Sequence, residues 1–128
     1  MIYRRDEAFR FEFNRPIHGT FKLLKINDKS GQSKLGSADI IDLSPNGLRF
    51  ESGLDLPLEQ NSLLIEVNFI LNERLIRILG TPKWKKTHGT RYIYGFTGIN
   101  DQETKKEIIE ELKIYSKKAL QQENQNEE

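Results

Sequence analysis

The chain has 128 residues, which matches one domain of roughly 100–200 residues. Hydrophobic residues are 36% and charged residues 30% of it; no stretch approaches the ~20 apolar residues of a membrane helix, and Met1-Ile2-Tyr3-Arg4-Arg5-Asp6-Glu7 lacks the apolar segment of a secretory signal, which points to a cytoplasmic protein. Cysteine is absent and the only histidines, His18 and His88, are far apart in sequence, so disulfides and Cys-ligated clusters are excluded and no metal site is expected.

Charge nearly cancels, with 20 Lys and Arg against 19 Asp and Glu for a net of +1. Its distribution is uneven. Residues 1–100 carry 15 basic and 11 acidic side chains, and residues 101–128 carry 5 and 8. Arg4, Arg5, Arg10 and Arg15 precede the first lysine. Arginine offers a planar fork for phosphate or carboxylate and a flat face for stacking, so residues 1–10 read as a flexible Arg-rich arm. A solvated basic arm and a ligand-gripping one remain open.

In chain order, Phe11, Phe13, Ile17, Phe21, Leu23 and Ile26 mark an extended stretch broken at Asn14-Arg15-Pro16, where Pro16 suits an edge or a bulge. The polar segment 27–36 with its two glycines reads as a loop. Strands follow at 38–43 and 48–51, joined by the turn Ser44-Pro45-Asn46-Gly47, in which Gly47 can take φ > 0. A loop holding Pro57 leads to an apolar strand at 63–71. Asn72-Glu73 forms a tight hairpin turn into a strand at 74–79. Trp84 follows Gly80 and Pro82, and His88-Gly89 is a second hairpin turn into the strand at 92–96. Six or seven short antiparallel strands at this spacing predict a mainly β fold, a small closed or nearly closed barrel. The last element differs. Asn100 with Glu103 resembles a capping box, and Ile108, Ile109, Leu112, Tyr115 and Ala119 fall at helical spacing, so a C-terminal helix is expected over 101–120. The barrel and helix make one domain, 11–120, and the apolar-free segment 121–128 reads as a disordered tail.

No Ser/His/Asp order, phosphate-cradling glycine loop or metal-ligand spacing is visible, so no enzyme is expected. Asp42 ends one strand and Gly47 starts the next. Asp42 and Ser44 either cap their own turn or point off the strand end toward a ligand. A carboxylate only accepts hydrogen bonds, which suits the N–H-rich edge of guanine. Arginine grips phosphate and reads guanine O6 and N7. Together an Arg arm and an Asp/Ser corner could enclose a guanine nucleotide. Trp84, the only Trp, reads as a barrel-packing or rim residue before a ligand contact. Lys83, Lys85 and Lys86 read as protective lysines of an edge strand.

Arginines at the N-terminus followed some thirty residues later by Asp42-x-Ser44-x-x-Gly47 resemble the motifs of PilZ domains. Gly80-x-x-x-Trp84 and the Tyr94-Gly95-Phe96 strand are similar to the later strands of that family. The resemblance spans residues 3–100. It implies a small β-barrel followed by a helix, a cyclic di-GMP receptor with no other cofactor, and an effector protein that reads the bound state in control of motility, exopolysaccharide or adhesion. The ligand residues it implies are Arg4, Arg5, Arg10, Asp42, Ser44 and Gly47. One departure stands out. Counting four residues back from Arg10 places Asp6 where the Arg-x-x-x-Arg motif has its first arginine, and the spacing from Arg5 to Arg10 is one residue too long. A second expectation is therefore a PilZ-like protein-interaction adaptor without the ligand. A single-stranded nucleic-acid barrel is a third and weaker one, because most aromatics alternate as core residues. Homodimerisation through the helix stays open.

Overall fold

The computed structural model describes residues 10–30 and 35–126. Seven strands and one helix follow in chain order: β1 Phe11–Ile26, β2 Lys29–Ser30, β3 Leu35–Ser44, β4 Gly47–Ser52, β5 Leu63–Leu71, β6 Arg74–His88, β7 Arg91–Gly98 and α1 Gln102–Asn126. All pairings are antiparallel, in the order β2-β1-β3-β4-β7-β6-β5. β1 also pairs β5, from Gly19 opposite Phe69 to Ile26 opposite Leu63. That last ladder brings the sheet back on itself, so six strands form a barrel and the two-residue β2 sits outside the ring.

Alternation explains why these segments pair this way. In β5, Leu63, Ile65, Val67, Phe69 and Leu71 are buried at every second position, because successive side chains of a strand point to opposite faces. They meet Phe21, Ile40, Leu43, Leu48, Phe50, Ile76, Tyr94 and Phe96 from the other strands. Each such side chain contributes about 1.5–3 kcal/mol on burial. Phe50 and Tyr94 stack with centroids 5.1 Å apart. The Tyr94 hydroxyl accepts from Leu56 N (2.8 Å) and donates to Leu54 O, tying the loop after β4 onto the barrel. Burial raises the Tyr94 pKa above its ordinary value.

The turns follow from their residues. Asn72 and Glu73 both take positive φ (52° and 66°), the geometry of a type I′ hairpin. Gly89 takes φ 63° in the β6–β7 turn. Gly47 does not: its φ is not positive. It is glycine for space, since a Cβ there would run into the Phe96 carbonyl on the facing strand.

Several boundaries differ from the sequence expectation. The stretch around Pro16 is one strand with a register shift between Glu12 and Ile17 rather than a break. β3 starts at Leu35, inside the expected loop. β6 runs unbroken through Gly80, Pro82 and Trp84, because a second register shift between Pro82 and Trp84 takes up the proline. The helix cap is Asp101, not Asn100. Glu103 N donates to Asp101 Oδ1 (3.1 Å) and the Thr104 hydroxyl to Oδ2 (2.7 Å). Asn100 instead accepts from Lys105 Nζ (2.9 Å). The helix also runs to Asn126, through residues expected as tail. Gln and Glu are good helix formers, and no Gly or Pro stops the helix there.

Ile108 and Leu112 bury α1 against the barrel. A polar clamp holds it beside the β5–β6 turn. Asn72 Nδ2 donates to Glu111 O (2.8 Å) and Oε1 (3.0 Å), and Arg74 reaches Glu111 Oε2 (3.2 Å) and Glu107 Oε2 (2.9 Å). No helix is long and apolar enough to cross a membrane among the described residues.

Candidate functional site

The outer face of the barrel carries the site. Leu48 and Phe50 point into the core, so Arg49 between them points outward. Register then lines up one row across five strands. Trp84 of β6 faces Gly95 of β7, Gly95 faces Arg49 of β4, Arg49 faces Asp42 of β3, and Asp42 faces Glu12 of β1.

Asp42 is the centre of this row and is only 2% exposed. Its Oδ1 lies 2.8 Å from Arg10 Nη1 and accepts from the Arg49 backbone N–H at 3.0 Å. Its Oδ2 accepts from Arg49 Nε at 2.6 Å. Arg49 Nη2 also lies 3.6 Å from Glu12 Oε1. Charge-assisted bonds of this kind fix geometry as well as charge. Two guanidiniums, each still more than a third exposed, are thereby held on either side of one buried carboxylate.

Trp84 closes the other end of the row. It is 44% exposed, and its indole lies against Gly95, where any Cβ would overlap the ring. An aromatic plate on bare backbone, with a guanidinium two strands away, can stack a planar ring and pair with its attached anion. Beside this row runs a chain of polar contacts. His18 Nδ1 lies 2.9 Å from Asp39 Oδ1, Arg91 Nη2 3.1 Å from Asp39 Oδ2, Arg91 Nε 3.6 Å from Glu51 Oε1, and His88 Nδ1 3.0 Å from Glu51 Oε1. Among the described residues no group of His, Asp and Glu has the arrangement of a metal site.

Of the residues expected at the site, Arg10 and Asp42 come together directly. Ser44 is fully buried, and its hydroxyl donates to Gly47 O (3.2 Å), closing the β3–β4 turn. Gly47 lets β4 approach β7. Arg4, Arg5 and Asp6 lie outside the described residues. Arg49 is the member that sequence reasoning missed. Its signal was positional: two residues after Gly47 on an alternating strand, it falls opposite Asp42. Trp84 was expected to pack or rim the barrel; it presents its indole to solvent on the face that bears Asp42.

No family model matches the sequence, and no curated protein matches it. Solved structures share its fold. The PilZ domain of YcgR from Escherichia coli, in a structure with c-di-GMP, is 17% identical with a TM-score of 0.60, over 95% of this chain and 98% of that one. The PilZ domain of CeSA from a cellulose-synthesizing bacterium is 14% identical with a TM-score of 0.50, over 80% and 92%. At these identities the likeness is one of fold, and the barrel with its C-terminal helix is the PilZ fold.

Proposed function

We propose that this PilZ-fold chain is a cyclic di-GMP receptor module without catalytic activity, acting in the cytoplasm through a partner effector protein. The observation that carries this reading is the outer row: an exposed indole on Gly95 in register with Arg49 and Asp42, where the Arg10 and Arg49 guanidiniums share the Asp42 carboxylate. Cyclic di-GMP presents two phosphates and two guanines. Arg10 and Arg49 suit the phosphates or the O6/N7 edge of guanine. Trp84 suits the base face, where stacking contributes about 1–3 kcal/mol per base. Asp42 preorganises both arginines, so less ordering cost falls on the ligand. Ser44 and Gly47 shape the hairpin that sets Asp42 against Arg49. Arg4 and Arg5, on the arm that precedes Arg10, bring further cations. The shared fold with a PilZ domain whose structure holds c-di-GMP supports the choice of nucleotide. Motility, exopolysaccharide or adhesion control is the output this assignment suggests.

A second reading, a ligand-independent adaptor of the same fold, draws on two observations. Both Asp42 oxygens are already engaged by arginine, and Asp6 stands four residues before Arg10. Calorimetric titration separates the two. Saturable heat with cyclic di-GMP is expected for the wild type. Arg10→Ala and Asp42→Ala are expected to weaken binding at least about tenfold, or ~1.4 kcal/mol. No heat with the folded wild type overturns the receptor reading in favour of the adaptor, and heat with unchanged affinity in both variants overturns the assignment of the site to Arg10 and Asp42.

A further inference from the structure

We propose that Phe11, Phe13 and Tyr115 couple the engagement of Arg10 to the seating of the distal half of α1, making that helix the element through which the site's state is read. The inference concerns regulation of the site proposed above, and only its ligand experiment rests on that reading.

The argument starts at Arg10, which is held to Asp42 at 2.8 Å. The next residues are paired to β3 alone: Phe11 faces Leu43 and Glu12 faces Asp42, while pairing of β1 to β5 begins only at Gly19. The register shift between Glu12 and Ile17 separates this short lead-in from the rest of β1. This flap is paired along one edge, Phe13 is buried in the core with Phe11 packed against it, and the Arg10–Asp42 pair lies at its start.

The flap carries the helix. Phe11 and Phe13 lie 5.2 Å apart by ring centroid, and Tyr115 meets them edge-on at 5.5 and 5.2 Å, the favoured geometry for aromatic contact. The proximal half of α1 has its own attachments in Ile108, Leu112 and the Asn72–Arg74 clamp on Glu111. Beyond Tyr115, Ser116 and Ala119 are half-buried, Lys117 and Lys118 are exposed, and Leu120 is 59% exposed. Tyr115 thus joins the distal half to rings that belong to the flap. Whatever draws Arg10 from Asp42 shifts Phe11 and changes that seat. By linkage, loosening the seat changes affinity at Arg10 by the same factor.

Hydrogen–deuterium exchange on the full chain tests this without ligand. Arg10→Ala is expected to speed exchange at 113–121 at least threefold and to leave 103–111 unchanged. Tyr115→Ala is expected to do the same, and Tyr115→Phe, which keeps the ring, to behave as wild type. With cyclic di-GMP, Tyr115→Ala is expected to shift the dissociation constant at least threefold. Unaltered distal exchange in Arg10→Ala overturns the coupling, as does uniform loosening of the whole helix. If the wild type binds cyclic di-GMP but neither effect occurs, the coupling falls and the receptor reading stands. If the wild type does not bind but Arg10→Ala frees the distal helix, the receptor reading falls and the coupling stands.

Discussion

Two glycines of the barrel separate structural from functional constraint. At Gly47 a Cβ would strike the Phe96 carbonyl, and at Gly95 it would strike the Trp84 indole. Backbone in a paired ladder cannot give way without parting β4 from β7. An exposed indole can swing out. Gly47→Ala is therefore expected to lower the denaturant midpoint by an amount worth about 2 kcal/mol or more. Gly95→Ala is expected to stay within about 1 kcal/mol of wild type and to lose affinity for cyclic di-GMP. Equal stability losses in the two variants would show that Trp84 is a packing residue after all. Asp42 was legible as a candidate because a carboxylate beside a Ser-Pro-Asn-Gly turn is conspicuous. Arg49 was not, because an arginine on the outer side of a strand has no local mark. It becomes a candidate only through the β3–β4 register that places it on Asp42.

The hairpins and the helix show what an element's own residues decide. Asn72-Glu73 was readable as a turn because asparagine tolerates positive φ at little cost. Its second role, holding α1 through Glu111, depends on packing across 39 residues of chain and left no trace in sequence. The helix start was displaced by one residue for a similar reason. Asn100 and Asp101 are both competent caps, and the choice falls to Asp101, whose carboxylate reaches both Glu103 N and the Thr104 hydroxyl. Those bonds, that from Thr104 foremost, hold the Asp101 carboxyl below its ordinary value. A lowered acid pKa in the folded state stabilises above the unfolded value, about 3.9, and that contribution fades as pH falls through the folded value. Asp101→Asn keeps a capping oxygen but not the charge. Thermal melts from pH 7 to pH 3 are expected to show wild type the more stable at neutral pH and the difference closing below about pH 4. A difference that stays constant across that range would remove the cap from the account.

At the scale of the molecule, a mainly β barrel with a C-terminal helix was readable from alternation and turn spacing, and the structure has it. The closing ladder was not. β1 meets β5 with Gly19 opposite Phe69, a long-range pairing with no local signal. That closure sets the curved outer face on which Asp42, Arg49 and Trp84 share one row with Arg10 reaching Asp42, so the candidate site could be suspected in sequence but not assembled. The same face gives the most direct test. Trp84 is the only tryptophan, so its emission reports this row alone. Titration of the full chain with cyclic di-GMP is expected to change Trp84 emission saturably, with the dissociation constant found by calorimetry, and Arg49→Ala is expected to abolish the change. Emission that stays constant while calorimetry registers binding would place the nucleotide elsewhere and contradict the account.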